Sequence, residues 1–365
     1  MRIIQFACSL SSGGAERFVV DLSNTLARKG HEVLLVIFDD EIKNPSSGFY
    51  KDKIDKGVIF HSLKIERKFT LSKMIQVTRY FKSWNPDIIH FHHTGFAYFI
   101  PLLFNSKIKI FETIHSVVSE VCGKGIKKII TRTAYRLGLI RPVTISDICH
   151  QSYNDCYNLS NDIHIDNGRT PIKPSEHFEL ITSEINNLKP SPVSKVFINI
   201  ARCNEVKNHS LLIRAFNNFT KEEPSSLLLI IGSNYDNELG KEYRKIAGPN
   251  IRFLGPKSDV EDYLLNADYF CLSSLYEGLS ISLLESLSAG LTPICTAVGG
   301  CKDVIAEGKT GYLSQDFEVT TYVNALKRAF SAPLDKASQR EYFEKNFSMS
   351  KCAEQYIELY KKTIR

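Results

Sequence analysis

Two glutamates stand eight positions apart in YEGLSISLLES (276–286): Glu277 directly before Gly278, and Glu285 among leucines. Two carboxylates in one short stretch suggest an acid/base couple, but the spacing argues otherwise. Gly278 permits a tight turn, and a helix opening near Ser280 and closed by Gly290 carries Glu285 about a turn and a half further on. The pair therefore addresses different parts of one extended ligand. Ser280 or Ser282 can cap that helix, whose first N–H groups attract an anion. The plain alternative is a loop charge and a surface helix residue, yet Leu283, Leu284, Leu287 and Ala289 leave Glu285 little polar face.

A second cluster lies in ARCNEVKNHSLLIRAF (201–216), where Arg202 follows an apolar run and Lys207 precedes a helical pattern of Leu211, Ala215 and Phe219. Two cations on one strand-to-helix turn suit a diphosphate, Arg as a bidentate fork and Lys as a point charge. In SSGGAER (11–17) the glycines let backbone N–H groups approach an anion at a helix start, although G-x-G-x-x-G is absent. HFHH (90–93), with Glu112 and His115 on the next expected strand, invites a metal reading. Metal sites need converging ligands, and strand-end histidines commonly serve as hydrogen-bonding neighbours, so no metal is expected. His115, in ETIHS, is placed at the carboxyl end of its strand.

These clusters need a scaffold, and the apolar runs supply one. IIQFAC (3–8), EVLLVIF (32–38), DIIHFHH (87–93), IKIFETIH (108–115) and PVTIS (142–146) read as strands with helices at about 14–30 and 71–83 between them. After the break NLKPSPVSK (187–195) a second series follows: VFINIA (196–201), SLLLIIG (226–232), NIRFLG (250–255), DYFCLSS (268–274) and TPICTA (292–297). Near-continuous apolar strands alternating with helices predict an α/β fold of two doubly wound parallel sheets. The expected division is 1–175, a linker at 176–195, a second domain at 196–348 and a helix at 349–365 with Cys352, Tyr356 and Tyr360 at helical spacing, returning to the first domain. Ligands of such sheets bind beyond the strands' carboxyl ends, where the clusters lie, and a cleft between the two domains is expected.

Bulk properties exclude several classes. The 365 residues favour two cores over one. Nine scattered cysteines without a C-x-x-C pair suit reduced thiols and a cytoplasmic setting. The first residues lead into glycines and an amphipathic helix, not a cleavage site, and the longest uncharged apolar stretch, 95–104, is about half a membrane span. Residues 1–170 carry 23 Lys+Arg against 16 Asp+Glu, whereas the rest carries 23 against 24. The basic surplus thus belongs to the front half. There GIKKIITRTAYRLGL sets Ile126, Ile130, Ala134 and Leu137 on one stripe and Lys127, Lys128, Arg132 and Arg136, with Lys124 just before, towards the other side. Such a helix can rest on anionic lipid headgroups. No reader motif or aromatic platform accompanies the charge, so nucleic acid is not the expected partner.

In order, GGAER, PDIIHFHH, TIHS, VTISD, DNG, ARCNEVKNHSLLIRAF, IRFLG, LYEGLSISLLESLSAG, TAVGG and EGKTGYL resemble the retaining glycosyltransferases of family 4, with the GT-B fold. The two glutamates match that family's E-x₇-E motif. The resemblance implies that Arg202 and Lys207 hold a donor diphosphate, supported by Gly14 and the amides around Gly278, Leu279 and Ser280. It places Glu277 on the transferred sugar, Glu285 on the ribose, His115 beside the sugar, and Gly255, Pro256 and Lys257 along the base. It implies no cofactor beyond the nucleotide-sugar substrate, with the cations doing a metal's work. The donor expected is a UDP-hexose or UDP-N-acetylhexosamine, and the acceptor a lipid-linked or surface glycan. Lys302–Asp303 after VGG, and Cys203–Asn204 after the Arg, depart from the family pattern. A nicotinamide-dependent oxidoreductase and a non-catalytic nucleotide-sugar-binding relative are the competing readings.

Overall fold

The computed structural model describes residues 1–65, 69–92, 96–118 and 125–364. The chain divides into two compact units, one holding the residues to Thr170 together with the chain from Met349, the other Pro171–Ser348.

In the first unit the order is β1 (Arg2–Ala7), α1 (Gly14–Arg28), β2 (Glu32–Ile37), β3 (Val58–Ser62), α2 (Leu71–Ser83), β4 (Ile88–His92), α3 (Phe96–Phe99), β5 (Lys109–Ile114), α4 (Ile126–Arg136), β6 (Arg141–Thr144), α5 (Asp147–Tyr157) and β7 (Ile163–His164). The seven strands form one sheet in the order β3-β2-β1-β4-β5-β6-β7, and every pairing is parallel. Because strand side chains alternate, Phe91 joins the core beneath α2 to α5, while His90 and His92 point to the opposite face. That face is covered by α1 and by the chain's last helix, whose Tyr356 ring packs near Phe18 and His90.

The second unit runs α6 (Phe178–Leu188), β8 (Val196–Ile200), α7 (His209–Phe219), β9 (Leu227–Ile231), α8 (Glu238–Ile246), β10 (Ile251–Gly255), α9 (Val260–Leu265), β11 (Tyr269–Leu272), α10 (Ile281–Ala289), β12 (Thr292–Thr296), α11 (Cys301–Val304), β13 (Tyr312–Ser314), α12 (Val319–Ser331) and α13 (Lys336–Phe347); α14 (Met349–Ile364) then closes the first unit. Its six strands are ordered β10-β9-β8-β11-β12-β13. Both sheets thus reverse direction beside their first strand, at β1/β4 and at β8/β11, the switch points where doubly wound sheets take ligands.

Several expectations are corrected. Within the supposed linker 176–195, residues Phe178–Leu188 form a helix that buries Ile181 and Ile185 inside the second unit, where Glu184 accepts from Tyr263 (2.7 Å). Strands β3, β7 and β13 are short or edge elements that periodicity alone does not reveal. The stripe assigned to α4 is also displaced: Thr131, Ala134 and Tyr135 are buried, while Ile126, Ile130 and Leu137 are exposed together with Ile129. The cause is Tyr135, whose ring packs against Tyr153 and Tyr157 and whose hydroxyl donates to Glu112 (2.6 Å).

Candidate active site

At the switch point of the second sheet, the turn after β8 is built by its polar residues. Asn204 extends its side chain to the N–H of Lys207 (3.0 Å), capping a single 3₁₀ turn at Glu205–Lys207, and Asn208 then takes a left-handed conformation at the entry to α7. The departure at Cys203–Asn204 therefore has a local purpose: Cys203 is buried, and Asn204 sets where Lys207 emerges. From β11, the Ser273 hydroxyl donates to the carbonyls of Lys207 and Asn208 (2.9 and 3.1 Å), and the N–H of Leu275 to that of Val206 (2.7 Å). The two turns are stitched together across the switch point.

Glu277 projects from the second of these turns. Its Oε1 accepts from Lys207 Nζ and from the Ser274 hydroxyl, each at 2.6 Å. Lys207 and Glu277 are mostly withdrawn from solvent, with side chains 23% and 10% exposed. An ammonium has three donors, so one bond to Glu277 leaves two for a ligand while the carboxylate fixes the direction of the side chain. Arg202 is exposed and forms no ion pair among the described residues, leaving its fork available to an anion.

The loop of Glu277 is held by a feature that sequence reasoning noted only as a motif. Gly300 N–H donates to the Gly278 carbonyl (2.8 Å), and side chains at this point are excluded. A Cβ at Gly299 would sit 1.9 Å from the Glu277 carbonyl oxygen, and one at Gly300 2.2 Å from that of Gly278. Gly299 also has φ +45°, which glycine accepts without strain.

Beyond the turn, α10 begins at Ile281 with Ser280 in the N-cap position. Neither expected serine caps it: the two hydroxyls lie 3.1 Å apart, and no side chain accepts from the first amides. Leu279 and Ser280 are buried, as is Glu285, one turn and more into the helix. Gly255 ends β10, an edge strand, and Pro256 and Lys257 follow it, with Lys257 Nζ 3.5 Å from Glu184 and over the Tyr263 ring.

One supporting group escaped sequence reasoning. His209, first in α7, is fully buried; its Nε2 lies 3.1 Å from Asn199 Oδ1 and 2.6 Å from the Tyr235 hydroxyl, which reaches the Ala201 carbonyl (3.2 Å). Asn199 in turn donates to the Cys271 carbonyl (2.8 Å), bridging β8 to β11. Burial, with Lys207 nearby, lowers the His209 pKa to about 3, so the ring is neutral and serves as scaffolding. The signal was present as the polar Asn199 inside an apolar strand.

The switch point of the first sheet gathers the histidines. His92 Nδ1 lies 2.9 Å from His115 Nε2 and its Nε2 2.7 Å from Gln5 Oε1. His90 contacts the Tyr360 hydroxyl at Nδ1 (2.5 Å) and the Thr113 hydroxyl at Nε2 (2.7 Å). Both rings are thus engaged at both nitrogens, and burial lowers the His90 pKa to about 3. Glu112 does not join them. It lies on the other face of β5, held by Tyr135, and burial pushes its pKa up to about 7. His93 lies outside the described residues, and among those described no three His, Cys, Asp or Glu side chains are placed to hold a metal. At SSGG, Gly14 opens α1 and the Glu16 carboxylate accepts from Ser11 (3.2 Å) beside the helix start.

Lys127 and Arg136 are exposed and Lys128 half-buried on α4; Arg132 is diverted inward, its Nε donating to the Tyr157 carbonyl. Lys124 lies outside the described residues. No described helix is long and apolar enough to cross a membrane.

Comparison with known proteins agrees with this layout. Residues 12–157 match the family model "Glycosyltransferase Family 4", and residues 182–347 the model "Glycosyl transferases group 1". The chain is 24% identical to the N-acetyl-alpha-D-glucosaminyl L-malate synthase of Bacillus anthracis over 397 residues, covering 99% of this chain and 97% of that protein. Spore coat protein SA of Bacillus subtilis is 30% identical over 185 residues, 46% of this chain and 49% of its own. In fold it is similar to a glycosyltransferase from Rickettsia africae (TM-score 0.81, 18% identity, 100% of this chain and 98% of that one). It is similar also to Anabaena HepE in complex with UDP-glucose (TM-score 0.80, 14% identity, 99% and 100%). The two family models fall on the two units in chain order, and the protein belongs to the family 4 glycosyltransferases of GT-B fold.

Proposed function

We propose that the protein moves a hexose or N-acetylhexosamine from a UDP-sugar to a lipid-linked or surface-glycan acceptor, with retention and without a metal. The observation that carries this reading is the Lys207–Glu277 pair at the β8/β11 switch point, with the unpaired fork of Arg202 on the same turn. Two cations and a carboxylate there suit a diphosphate joined to a sugar. The likeness to HepE, solved with UDP-glucose, supports a uridine donor, and the name of the full-length Bacillus anthracis relative supports an N-acetylhexosamine.

In this reading Arg202 and Lys207 stabilise the charge that grows on the β-phosphate as its bond to the anomeric carbon breaks. The acceptor oxygen attacks from the same face, and its proton passes to the departing phosphate oxygen. Glu277 is a poor nucleophile, because Lys207 and Ser274 already occupy Oε1; it is suited instead to orienting sugar hydroxyls. Glu285 serves the ribose, Gly255 to Lys257 the base, Gly14 and the amides at Gly278, Leu279 and Ser280 the phosphate, and His115 a substrate hydroxyl.

The acceptor is reached at an anionic membrane surface, on which α4 rests peripherally from the cytoplasmic side. Its outward side carries Ile126 and Ile129, 76% and 64% exposed, beside Lys127 and Arg136, a mixture suited to headgroups and the acyl boundary. A small hydroxy acid is the second acceptor reading, favoured by the name of the same Bacillus relative.

A thermal-shift panel of nucleotide sugars tests the donor, since a ligand of the folded state at about 100 times its Kd adds about 2.7 kcal/mol. UDP-sugars are expected to stabilise the protein and Arg202→Ala to lose most of that shift. An undiminished shift in Arg202→Ala overturns the diphosphate assignment. Transfer to malate but not to lipid-linked acceptors selects the second acceptor reading.

A further inference from the structure

Tyr235 lies in the polar turn between β9 and α8, yet its side chain is buried. Its hydroxyl reaches the stretch 202–208, which carries Arg202 at its start and Lys207 near its end. The Arg202 end is tied to the β9 side: Ala201 N–H donates to the Ile231 carbonyl (3.0 Å) and Cys203 N–H to that of Ser233 (2.9 Å). The Lys207 end is tied to the β11 side through Ser273 and Leu275. The Tyr235 hydroxyl meets both ends at once. It donates to the Ala201 carbonyl (3.2 Å), and its oxygen stands 2.6 Å from Nε2 of His209, the first residue of α7. Asn199 Oδ1, 3.1 Å from the same nitrogen, anchors His209 to the body of β8 rather than to the turn.

The surroundings bring that hydroxyl into place. A Cβ at Gly232 would stand 2.0 Å from the Ala201 carbonyl oxygen, and one at Gly240 2.2 Å from the Tyr235 carbonyl oxygen, so this close approach needs both glycines. Asn237 caps α8 just beyond, accepting from Gly240 N–H (2.8 Å). The ring packs against His209 and Phe253, with centroids 5.3 Å away in each case. Phenylalanine would fill the same space, so apolar packing does not require the hydroxyl. Burial pushes the phenol pKa up, and it stays a neutral donor.

We propose that Tyr235 is a positioning residue: by holding Ala201 and His209 together, its hydroxyl sets the separation of Arg202 and Lys207 to suit a diphosphate. Each cation keeps its own local support without it, but their mutual placement loosens. Glu277 already fixes the Lys207 side chain, so a shift of the backbone is not absorbed by lysine flexibility. A monophosphate can be met by one cation alone. A diphosphate engages both, and it alone gains from their being held in advance at the right spacing.

Because this rests on Arg202 and Lys207 being the diphosphate clamp, the test separates the two. Full-length protein is titrated with UDP and with UMP by calorimetry. Tyr235→Phe is expected to weaken UDP about tenfold, the worth of one hydrogen bond, and UMP by no more than about twofold. Equal weakening of both ligands, or of neither, overturns the proposal. His209→Leu breaks the same tie from the α7 side, and should give the same selective loss even if Tyr235→Phe folds poorly; UDP binding unchanged in His209→Leu also overturns it. In an Arg202→Ala background the clamp has lost one arm, so adding Tyr235→Phe should cost UDP nothing further. A further tenfold loss there would mean that Tyr235 acts on something other than the spacing. If Arg202→Ala alone binds UDP undiminished, the diphosphate reading itself falls, and the role of Tyr235 with it, whatever Tyr235→Phe does.

Discussion

Lys207 Nζ and Glu277 Oε1 are 2.6 Å apart, and they reach each other from the carboxyl ends of β8 and β11, the two strands that flank the switch point. The pair acts as one device: the carboxylate aims the ammonium, and the ammonium, with the Ser274 hydroxyl, holds the carboxylate in place. Lys207→Ala and Glu277→Ala are each expected to lower kcat/KM by about 10²–10³-fold, the scale of removing one preorganised charge. The double variant should lose little more than the worse single one, because the first substitution already disables the partner. Losses that multiply in the double variant would show that the two residues act separately.

Gly299 and Gly300 should be intolerant of even a methyl group. Alanine at either must push the Glu277 turn aside, and at Gly299 it adds about 1–3 kcal/mol of backbone strain. Gly308 also has positive φ but nothing within 4 Å of its missing Cβ, which makes Gly308→Ala the matched control. Gly300→Ala is expected to lose most transfer and to melt lower; Gly308→Ala should melt lower and keep its activity. A fully active Gly300→Ala would mean that the turn does not need this buttress.

The pH response of stability follows from three buried groups. His90 and His209 fall from the usual 6.5 to about 3, so the unfolded chain binds more protons there and stability is lost as pH drops below 6.5. Glu112 rises from 4.5 to about 7, so the folded state binds the extra proton and stability declines as pH rises through that window. Two imidazoles outweigh one carboxyl between about 4.5 and 6.5, and the carboxyl alone acts from there to 7. Urea midpoints of Glu112→Gln should therefore climb more steeply than wild type up to pH 6.5 and then level off. Superimposable profiles would contradict the placement of Glu112.

Membrane docking is testable by flotation with vesicles containing anionic lipid at low salt. Lys127→Gln/Lys128→Gln/Arg136→Gln and, separately, Ile126→Ser/Ile129→Ser should each release the protein, the first through charge and the second through buried apolar area. Arg132 is left intact, because its guanidinium supports the Tyr157 carbonyl and its loss would confound the result. Failure of wild-type protein to float ends this part of the reading.

The alternation of strands and helices was legible because parallel strands covered on both faces must be apolar almost throughout, as EVLLVI is in β2. Short edge strands such as β7 carry no such signal. The strand-end placement of Arg202 and His115 was also legible, since each stands at the end of an apolar run, and Lys207 and Glu277 lie in the polar turns that follow such runs. What could not be read is what those side chains do when no ligand is present: that Lys207 turns to Glu277, that Ser280 and Ser282 pair with each other, or that Glu112 faces away from the histidines. Each depends on contacts between residues far apart in sequence. The face of α4 was misread for the same reason, because Tyr135 outweighs isoleucine once Glu112 and two further tyrosines are waiting for it.

The chain leaves the first unit beside the point where it re-enters, for the Met349 N–H donates to the Arg169 carbonyl at 2.9 Å, and Arg169 is itself locked to Asp21 of α1. Seen as a wiring diagram, the second unit is a long parenthesis opened and closed at one spot. A short bridge from Thr170 straight to Met349 would leave β1 to β7 and α14 contiguous in one chain. Such a miniature would retain Gln5, His92, His115 and Tyr360, so the hydrogen-bonded network that joins them becomes something that can be labelled and watched by itself.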